Sequence, residues 1–551
     1  MSFSERYLDY AELTAELHRW RDAHPDLVRL ESLATTPEGR ELWCVTIGPD
    51  PDRARPALLV NANQHASELT GSNVALAIGR AALDRHRAPR AGRADGALDA
   101  LLILVPRVSP DGAERVLRDG GYVRSVPRSR RGERTHPRWV SQDLDGDGRC
   151  LVMRREDPAG DHVESAAVPG LLVPRDLGDP GPYYKVWPEG IVENFDGHHV
   201  PDPHFLSDNY PDLNRNFPYD WKPEPDQEGA GDFPGSEPES RALIELATRT
   251  PHLFAWIDLH TFGGVFIRPL GSAPDTKLDP DDLALYKRLG EWATALTGYP
   301  MVSGFEEFTY TPETPLRGDL TEYAYHQRGC VSFVVELWDL FEQVGLPRQK
   351  RFVDRYTAVD RAELEQIARW AHEHAPGSLI VPWRPVDHPQ LGRVEVGGLD
   401  PRFVLWNPPP KFLAALCEGQ AELALRVLAL APRLDGSEHR VIPLGGGLSR
   451  VELVVRNLGY LPTRVTGPGA RIAPDDPIVA GAIPTGGCSL TDPGSARATI
   501  GALDGWGRGR HGSGGGLFHQ RSRGTTGEAR VGWVVRGEGA LEVRIGCDRT
   551  G

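Results

Sequence analysis

Three apolar runs, far apart in a chain of 551 residues, stay free of charge until their ends and then finish in groups that bind protons or metals. Pro56-Ala57-Leu58-Leu59-Val60 leads into Asn63-Gln64-His65-Ala66-Ser67-Glu68, Leu253-Phe254-Ala255-Trp256-Ile257 into Asp258 and His260, and Val331-Ser332-Phe333-Val334-Val335 into Glu336. Short, charge-free runs rich in β-branched and aliphatic residues are expected to be interior strands. Open α/β sheets collect their ligands outside the carboxyl ends of such strands. The chain is therefore expected to place His65 and Glu68 in a loop just beyond a buried strand, with His260 and Glu336 at the ends of two others.

Between these runs the pattern alternates with amphipathic helices. A helix is expected near Tyr10 to His24, strands near Leu42 and Leu58, a small-residue helix over Leu69 to Leu83, and a strand at Leu101 to Val105. Strands interleaved with helices predict an α/β layer fold. A long helix from Val353 to His374, with Tyr356, Leu364, Ile367 and Trp370 on its apolar face, closes a first unit over residues 1–377. Residues 378–432 are expected to be a stiff connector, marked by Val381-Pro382-Trp383-Arg384-Pro385 and Asn407-Pro408-Pro409-Pro410, followed by a helix from Phe412 to Leu430. Beyond it, Arg450 to Asn457, Ala529 to Val535 and Ala540 to Ile545 alternate or run apolar between Gly-rich turns. That code predicts a β-sandwich-like accessory domain over 433–551, with a Gly/Arg-rich loop from Gly505 to Gly527. It holds no ligand constellation and no internal repeat, so bracing the first unit or shaping its entrance is its expected role.

Catalytic zinc is typically held by three nitrogen or oxygen ligands with a fourth position open, and two His plus one Glu is a common set. His65, Glu68 and His260 would supply it. A His-x-x-Glu spacing also arises by chance in a chain with 18 His, and a strand-end His is often structural. The pairing of the two motifs at strand ends makes ligation the stronger reading. Glu336 follows the same logic, because a carboxylate closing an apolar strand is costly unless paired or functional.

Together with Asp212-Leu213-Asn214-Arg215-Asn216-Phe217, and with the sequence continuing past Glu336 as Leu337-Trp338, these segments occur in an order that resembles the zinc carboxypeptidases of the carboxypeptidase A and B type. The resemblance covers roughly residues 7 to 375, starting at Tyr7-Leu8-Asp9-Tyr10 and Thr36 to Trp43. It implies a mixed-sheet catalytic domain with one zinc at His65, Glu68 and His260, and Glu336 as the general base. It also implies a peptide substrate whose free C-terminal carboxylate is clamped by Asn214 and Arg215. Planar guanidinium suits that task because it donates two parallel hydrogen bonds. An oxyanion-stabilising Arg is implied twelve residues beyond the Gly of Pro110-Asp111-Gly112, which is Arg124, with Arg118, Arg128 and Arg130 close by. For the substrate-capping Tyr, counting back from Glu336 lands on Thr314. Tyr310 is the nearest candidate, while Tyr323 and Tyr325 have the spacing of a helix packed under the strand. Side-chain preference would depend on Asp319, Thr321 and Glu322, where an acidic floor would favour Lys or Arg. Ser67 stands where the digestive enzymes carry an Arg, so one auxiliary cation is missing.

The chain departs from the compact relatives by an insertion at about 128–208. It contains Asp143-Leu144-Asp145-Gly146-Asp147-Gly148, the Asp-x-Asp-x-Asp-Gly spacing of a calcium loop. The twelfth position, where such a loop carries Glu, is Arg154. A carboxylate-rich turn held by Arg149, Arg154 and Arg155 is the favoured reading, with calcium at Asp143, Asp145 and Asp147 the alternative. A net charge of -15 argues against nucleic acid as a partner. The six Cys are scattered without Cys-x-x-Cys spacing, which suggests neither a disulfide framework nor a thiolate metal site. No apolar leader follows Met1, and no segment reaches membrane-spanning length, so a soluble cytoplasmic enzyme needing no pro-segment removal is expected. The expected activity is zinc-dependent release of a C-terminal residue. Two alternatives are an amidase on cell-wall, isopeptide or N-acyl amino acid substrates using the same site, and a non-enzymatic peptide-binding relative.

Overall fold

The computed structural model describes residues 3–88, 99–128, 136–203, 211–349, 351–357, 359–472, 476–507 and 524–551. Arg130 and most of the Gly505 to Gly527 loop lie outside these described residues. Among the described residues, no helix is long and apolar enough to cross a membrane.

An eight-stranded mixed sheet forms the centre, in the order Val28–Thr35, Glu41–Ile47, Leu101–Val105, Ala57–Ala62, Leu253–Thr261, Val331–Leu337, Val265–Arg268, Met301–Ser303. The three runs singled out by their lack of charge are its adjacent, mutually parallel middle strands. Residues 57–62 are buried throughout, as are 253–261. Helices Tyr10–Ala23, Thr70–Arg87, Pro280–Thr297 and Leu413–Leu428 share one apolar core with one face of the sheet. Helices Pro238–Arg249 and Leu320–His326 contribute to a second core, which also takes in Leu59, Ile103 and Trp256. Helices on both faces of a mixed sheet with a parallel centre make this an α/β layer fold.

Two local expectations change. The helix expected from Val353 to His374 is two helices, Asp354–Thr357 and Arg361–His374. Asp360 accepts the Glu363 N–H while the Glu363 side chain accepts the Asp360 N–H, and this reciprocal cap starts the second helix afresh. The stiff connector is instead a hairpin, Ile380–His388 with Gly392–Leu399, and it joins the insertion's strands in a six-stranded sheet. Its prolines misled because Ile380–His388 is an edge strand with a register shift between Val381 and Arg384, where proline's missing donor costs no ladder bond. Helix Leu413–Leu428 likewise belongs to the main core and does not merely follow a linker.

The C-terminal residues form a five-stranded and a three-stranded sheet. Leu453, Val455 and Trp533 from the first and Ile478, Ala480, Ala482 and Ile500 from the second meet in one core. Two sheets sharing a core is the sandwich arrangement.

Candidate metal centre

Strand Ala57–Ala62 ends at Asn63, which turns the chain with φ 60. Asn tolerates this left-handed conformation better than most residues. Its amide nitrogen then donates to the carbonyls of His65 (2.9 Å), Ala66 (3.1 Å) and Glu68 (3.2 Å), wrapping the loop around one side chain. From the far side, Ala66 N–H donates to Arg124 O (2.8 Å) and Ser67 N–H to Val123 O (3.1 Å). Gly112 allows this close fit, since a Cβ there would come within 2.5 Å of Ser125 O. Two docked loops therefore position His65, Glu68 and Arg124 together. On the neighbouring parallel strands His260 and Glu336 are register partners.

The geometry at the centre is tight. His65 Nδ1 lies 2.7 Å from one Glu68 oxygen and His260 Nδ1 2.9 Å from the other, and the two Nδ1 atoms are 3.0 Å apart. The opposite ring nitrogens face carboxylates: His260 Nε2 is 2.8 Å from Asp258 and His65 Nε2 3.2 Å from Asp212. If Nε2 of each ring donates to its carboxylate, both Nδ1 lone pairs point at each other and at Glu68, an arrangement that calls for a cation between them. His65, Glu68 and His260 are all buried, and their ligand atoms lie within 4.8 Å of one another. The electrostatics of the buried groups agree. Burial opposes charge on His260, yet Asp258 and Glu68 outweigh it and hold the imidazole well above its ordinary range. Burial likewise opposes the ionised Glu68, but His65 and His260 hold it well below the carboxylate range. The donor set and this demand for positive charge fit a zinc ion.

The carboxylates behind the ligands were not singled out from sequence as their partners. Asp258 accepts from Asn61 (2.7 Å) and Gln64 (2.6 Å), and Asn61 accepts from the Trp256 indole (2.6 Å), so a buried polar chain fixes the His260 ring. A signal existed: Asp258 and His260 are two apart on a strand and so share a face. Asp212 bridges His65 and Arg124 Nε (3.1 Å), and Arg124 Nη1 is 3.5 Å from Glu68. The other candidate cations are engaged elsewhere, Arg118 with Asp9 and Glu114, and Arg128 with Glu237 and Glu239.

Burial, and then the charge of Glu68, push the Glu336 carboxyl up to about 8. A cation at the neighbouring ligands would draw that value back down. Glu336 Oε2 is buried and has no hydrogen-bond partner among the described residues. Arg215 is 8% exposed, its Nη1 donates to Asn214 O (2.5 Å), and its Nε is buried without a partner. No carboxylate among the described residues lies within ion-pair distance of Arg215, because Asp212 serves Arg124 and His65 while Asp220 pairs with Arg317. Asn214 accepts the Leu320 N–H (2.9 Å) through its side-chain oxygen.

Tyr310 is 48% exposed, and burial of its hydroxyl end followed by the Glu336 charge raise its pKa. Tyr323 and Tyr325 are core residues, the former in the same cluster as Phe217 and Trp256, the latter bonded to Asp282 at 2.6 Å. Tyr356, expected on a helix's apolar face, instead donates its hydroxyl to Phe262 O, two residues past His260. Of the expected acidic floor, Asp319 caps its own helix at Glu322 N–H (3.0 Å), and Glu322 accepts Gly271 N–H (3.1 Å). Thr321 Oγ1 is buried with no partner among the described residues.

In the insertion, Asp143, Asp145 and Asp147 also converge within 4.8 Å. Arg149 approaches Asp147 (4.0 Å), but the other two expected cations turn away: Arg154 pairs with Glu164 and Glu395, and Arg155 approaches Asp157. Arg384 reaches Asp145 instead (3.6 Å). Nothing else among the described residues points to calcium there.

Two imidazoles and a carboxylate set at the carboxyl ends of the middle strands of a mixed α/β sheet define a metallohydrolase type of site. The chain belongs to the zinc carboxypeptidase family, whose model matches residues 13–147 and 207–356. Residues 433–551 match a domain of unknown function. A zinc carboxypeptidase of Saccharothrix mutabilis subsp. capreolus is 30% identical over 119 residues, 21% of this chain and 27% of that protein, so the chain spans about a quarter of that relative's length. Among solved structures, thrombin activatable fibrinolysis inhibitor aligns with TM-score 0.44 and 14% identity over 77% of this chain and 74% of its own. Carboxypeptidase A from Helicoverpa armigera aligns with TM-score 0.42 and 14% identity over 78% and 74%.

Proposed function

We propose that this chain is a zinc metallocarboxypeptidase that removes the last residue of a peptide bearing a free C-terminal carboxylate. The observation that carries the substrate requirement is Arg215: a buried guanidinium with an unpartnered Nε and no ion-pair partner among the described residues. Asp212 and Asp319 act on it only at longer range, so a carboxylate brought by the substrate is the contact partner this buried cation lacks among the described residues.

His65, Glu68 and His260 hold the zinc, with Asp212 and Asp258 fixing the imidazoles. Zinc held this way supplies Lewis-acid activation of a carbonyl and of water. Glu336 takes a proton from the attacking water and returns it to the leaving amine, its buried Oε2 having no other hydrogen-bond partner among the described residues. Arg124, beside Glu68, donates to the developing oxyanion. Arg215 and the amide nitrogen of Asn214 receive the terminal carboxylate, and Tyr310 covers the bound residue. The same reading draws residues 378–432 into the catalytic unit and keeps 433–551 as an accessory sandwich.

The test compares a good peptide substrate with its C-terminally amidated form. The wild-type chain is expected to lose most of its kcat/KM on amidation, and Arg215→Ala to show little further loss. Equal cleavage of both forms by the wild type would overturn the carboxypeptidase reading in favour of an amidase or endopeptidase.

A further inference from the structure

The loop that carries Glu68 is held from outside by a residue that lies in neither stretch matched by the family model. Asn407 is completely buried. Its side-chain oxygen accepts from Thr70 N–H (3.0 Å) and from the Thr70 hydroxyl (2.9 Å), while its side-chain nitrogen donates to Ser67 O (2.8 Å) and Arg402 O (2.9 Å). Ser67 and Thr70 flank Glu68, so one amide grips the ligand's loop on both sides. Only an amide offers two acceptor lone pairs and two N–H donors at this reach, and here all four are used.

The helix that starts at Thr70 explains the need. No side chain of its own N-cap residue, Leu69, satisfies its first amides. Unsatisfied N–H groups at a helix start require an outside partner, and Asn407 supplies it. The same short segment reaches the other catalytic strands and loops as well. Val404 O accepts the Trp338 indole N–H (2.8 Å), two residues past Glu336. The Trp406 ring packs against Phe262 (5.5 Å), two past His260, and against Tyr122 (5.6 Å), two before Arg124.

Resting on the zinc reading above, we propose that Asn407 is a positioning residue that holds the Glu68 loop in its ligating shape, and that residues 402–407 clasp the metal centre. Partners of metal ligands typically alter metal affinity by about 10–100-fold when removed. The experiment measures the zinc dissociation constant by chelator competition for the wild type, Asn407→Ala and Asn407→Ser, alongside the unfolding midpoint of each metal-free protein. The expected result is a folded Asn407→Ala with zinc bound about 10–100-fold more weakly, and an intermediate value for Asn407→Ser, whose hydroxyl keeps one donor and an acceptor in place of the amide's four sites. If Asn407→Ala does not fold, Asn407→Ser carries the test. Wild-type zinc affinity in a folded variant, with only the unfolding midpoint lowered, would overturn the inference. A wild-type chain that takes up no zinc would overturn the metal reading itself, and this inference with it.

Discussion

Among the described residues, three acidic or imidazole groups gather at two places, and in each the ligand atoms lie within 4.8 Å of one another. At His65, Glu68 and His260 the neighbours take the outward-facing atoms: Asp212 and Asp258 occupy the far ring nitrogens, leaving the two Nδ1 atoms facing each other and Glu68, which otherwise accepts only the Thr261 N–H (3.1 Å) and a long contact from Arg124 (3.5 Å) among the described residues. At Asp143, Asp145 and Asp147 the carboxylates turn to their own backbone. Asp143 accepts the N–H of Gly146 (2.7 Å) and Gly148 (2.9 Å), Asp145 that of Asp147 (3.1 Å), and Asp147 that of Arg149 (2.9 Å). Proximity alone is common to both. What separates them is whether the surrounding residues leave the acceptor atoms demanding a cation or satisfy them locally.

The largest effect that would sharpen this contrast belongs to Glu336, which borders the first group without joining it. Replacement by Gln keeps the shape and removes the base, so turnover should fall roughly 10²–10⁴-fold while zinc content stays that of the wild type. Loss of the metal in Glu336→Gln would make this residue a ligand, and a much smaller loss of turnover would move the base elsewhere.

A smaller effect concerns the second group. Glu189, buried behind the Asp143 turn, accepts Leu144 N–H (2.6 Å) and Leu151 N–H (2.7 Å). Burial, with Asp145 and Asp143 adding to it, pushes its carboxyl from the ordinary 4.5 up to about 7 against the pull of those two N–H groups. A raised carboxyl means that the folded state holds the proton more tightly than the unfolded one. Stability of the insertion should therefore decline as pH rises across that window. Hydrogen exchange at the Leu144 and Leu151 amides, expressed as an opening free energy, should show the decline in the wild type and lose it in Glu189→Gln. A slope that survives the substitution would assign it to another group.

The contrast also explains what was legible in the sequence. The central strands announced themselves because burial on both faces forbids charge until a strand ends, and the ligands sit at those ends. The helix cap at Asp360 and the edge hairpin at Ile380–Leu399 are not legible in this way, because the local signals there, an apolar stripe and two prolines, are compatible with more than one tertiary setting. The second carboxylates were visible as residue types but not as partners. Asp212 lies 147 positions from His65, and no periodicity reports such a pairing. In sequence Asn407 is part of a Pro-rich stretch and nothing more for the same reason, since its partners Ser67 and Thr70 are more than 300 positions away.

The most direct test of the central claim is metal content by elemental analysis of protein purified without added metal, for the wild type, His65→Ala and Asp143→Asn. The account predicts one zinc per chain in the wild type, none in His65→Ala, and an unchanged single zinc in Asp143→Asn. Full zinc content in His65→Ala, or its loss in Asp143→Asn, would contradict it.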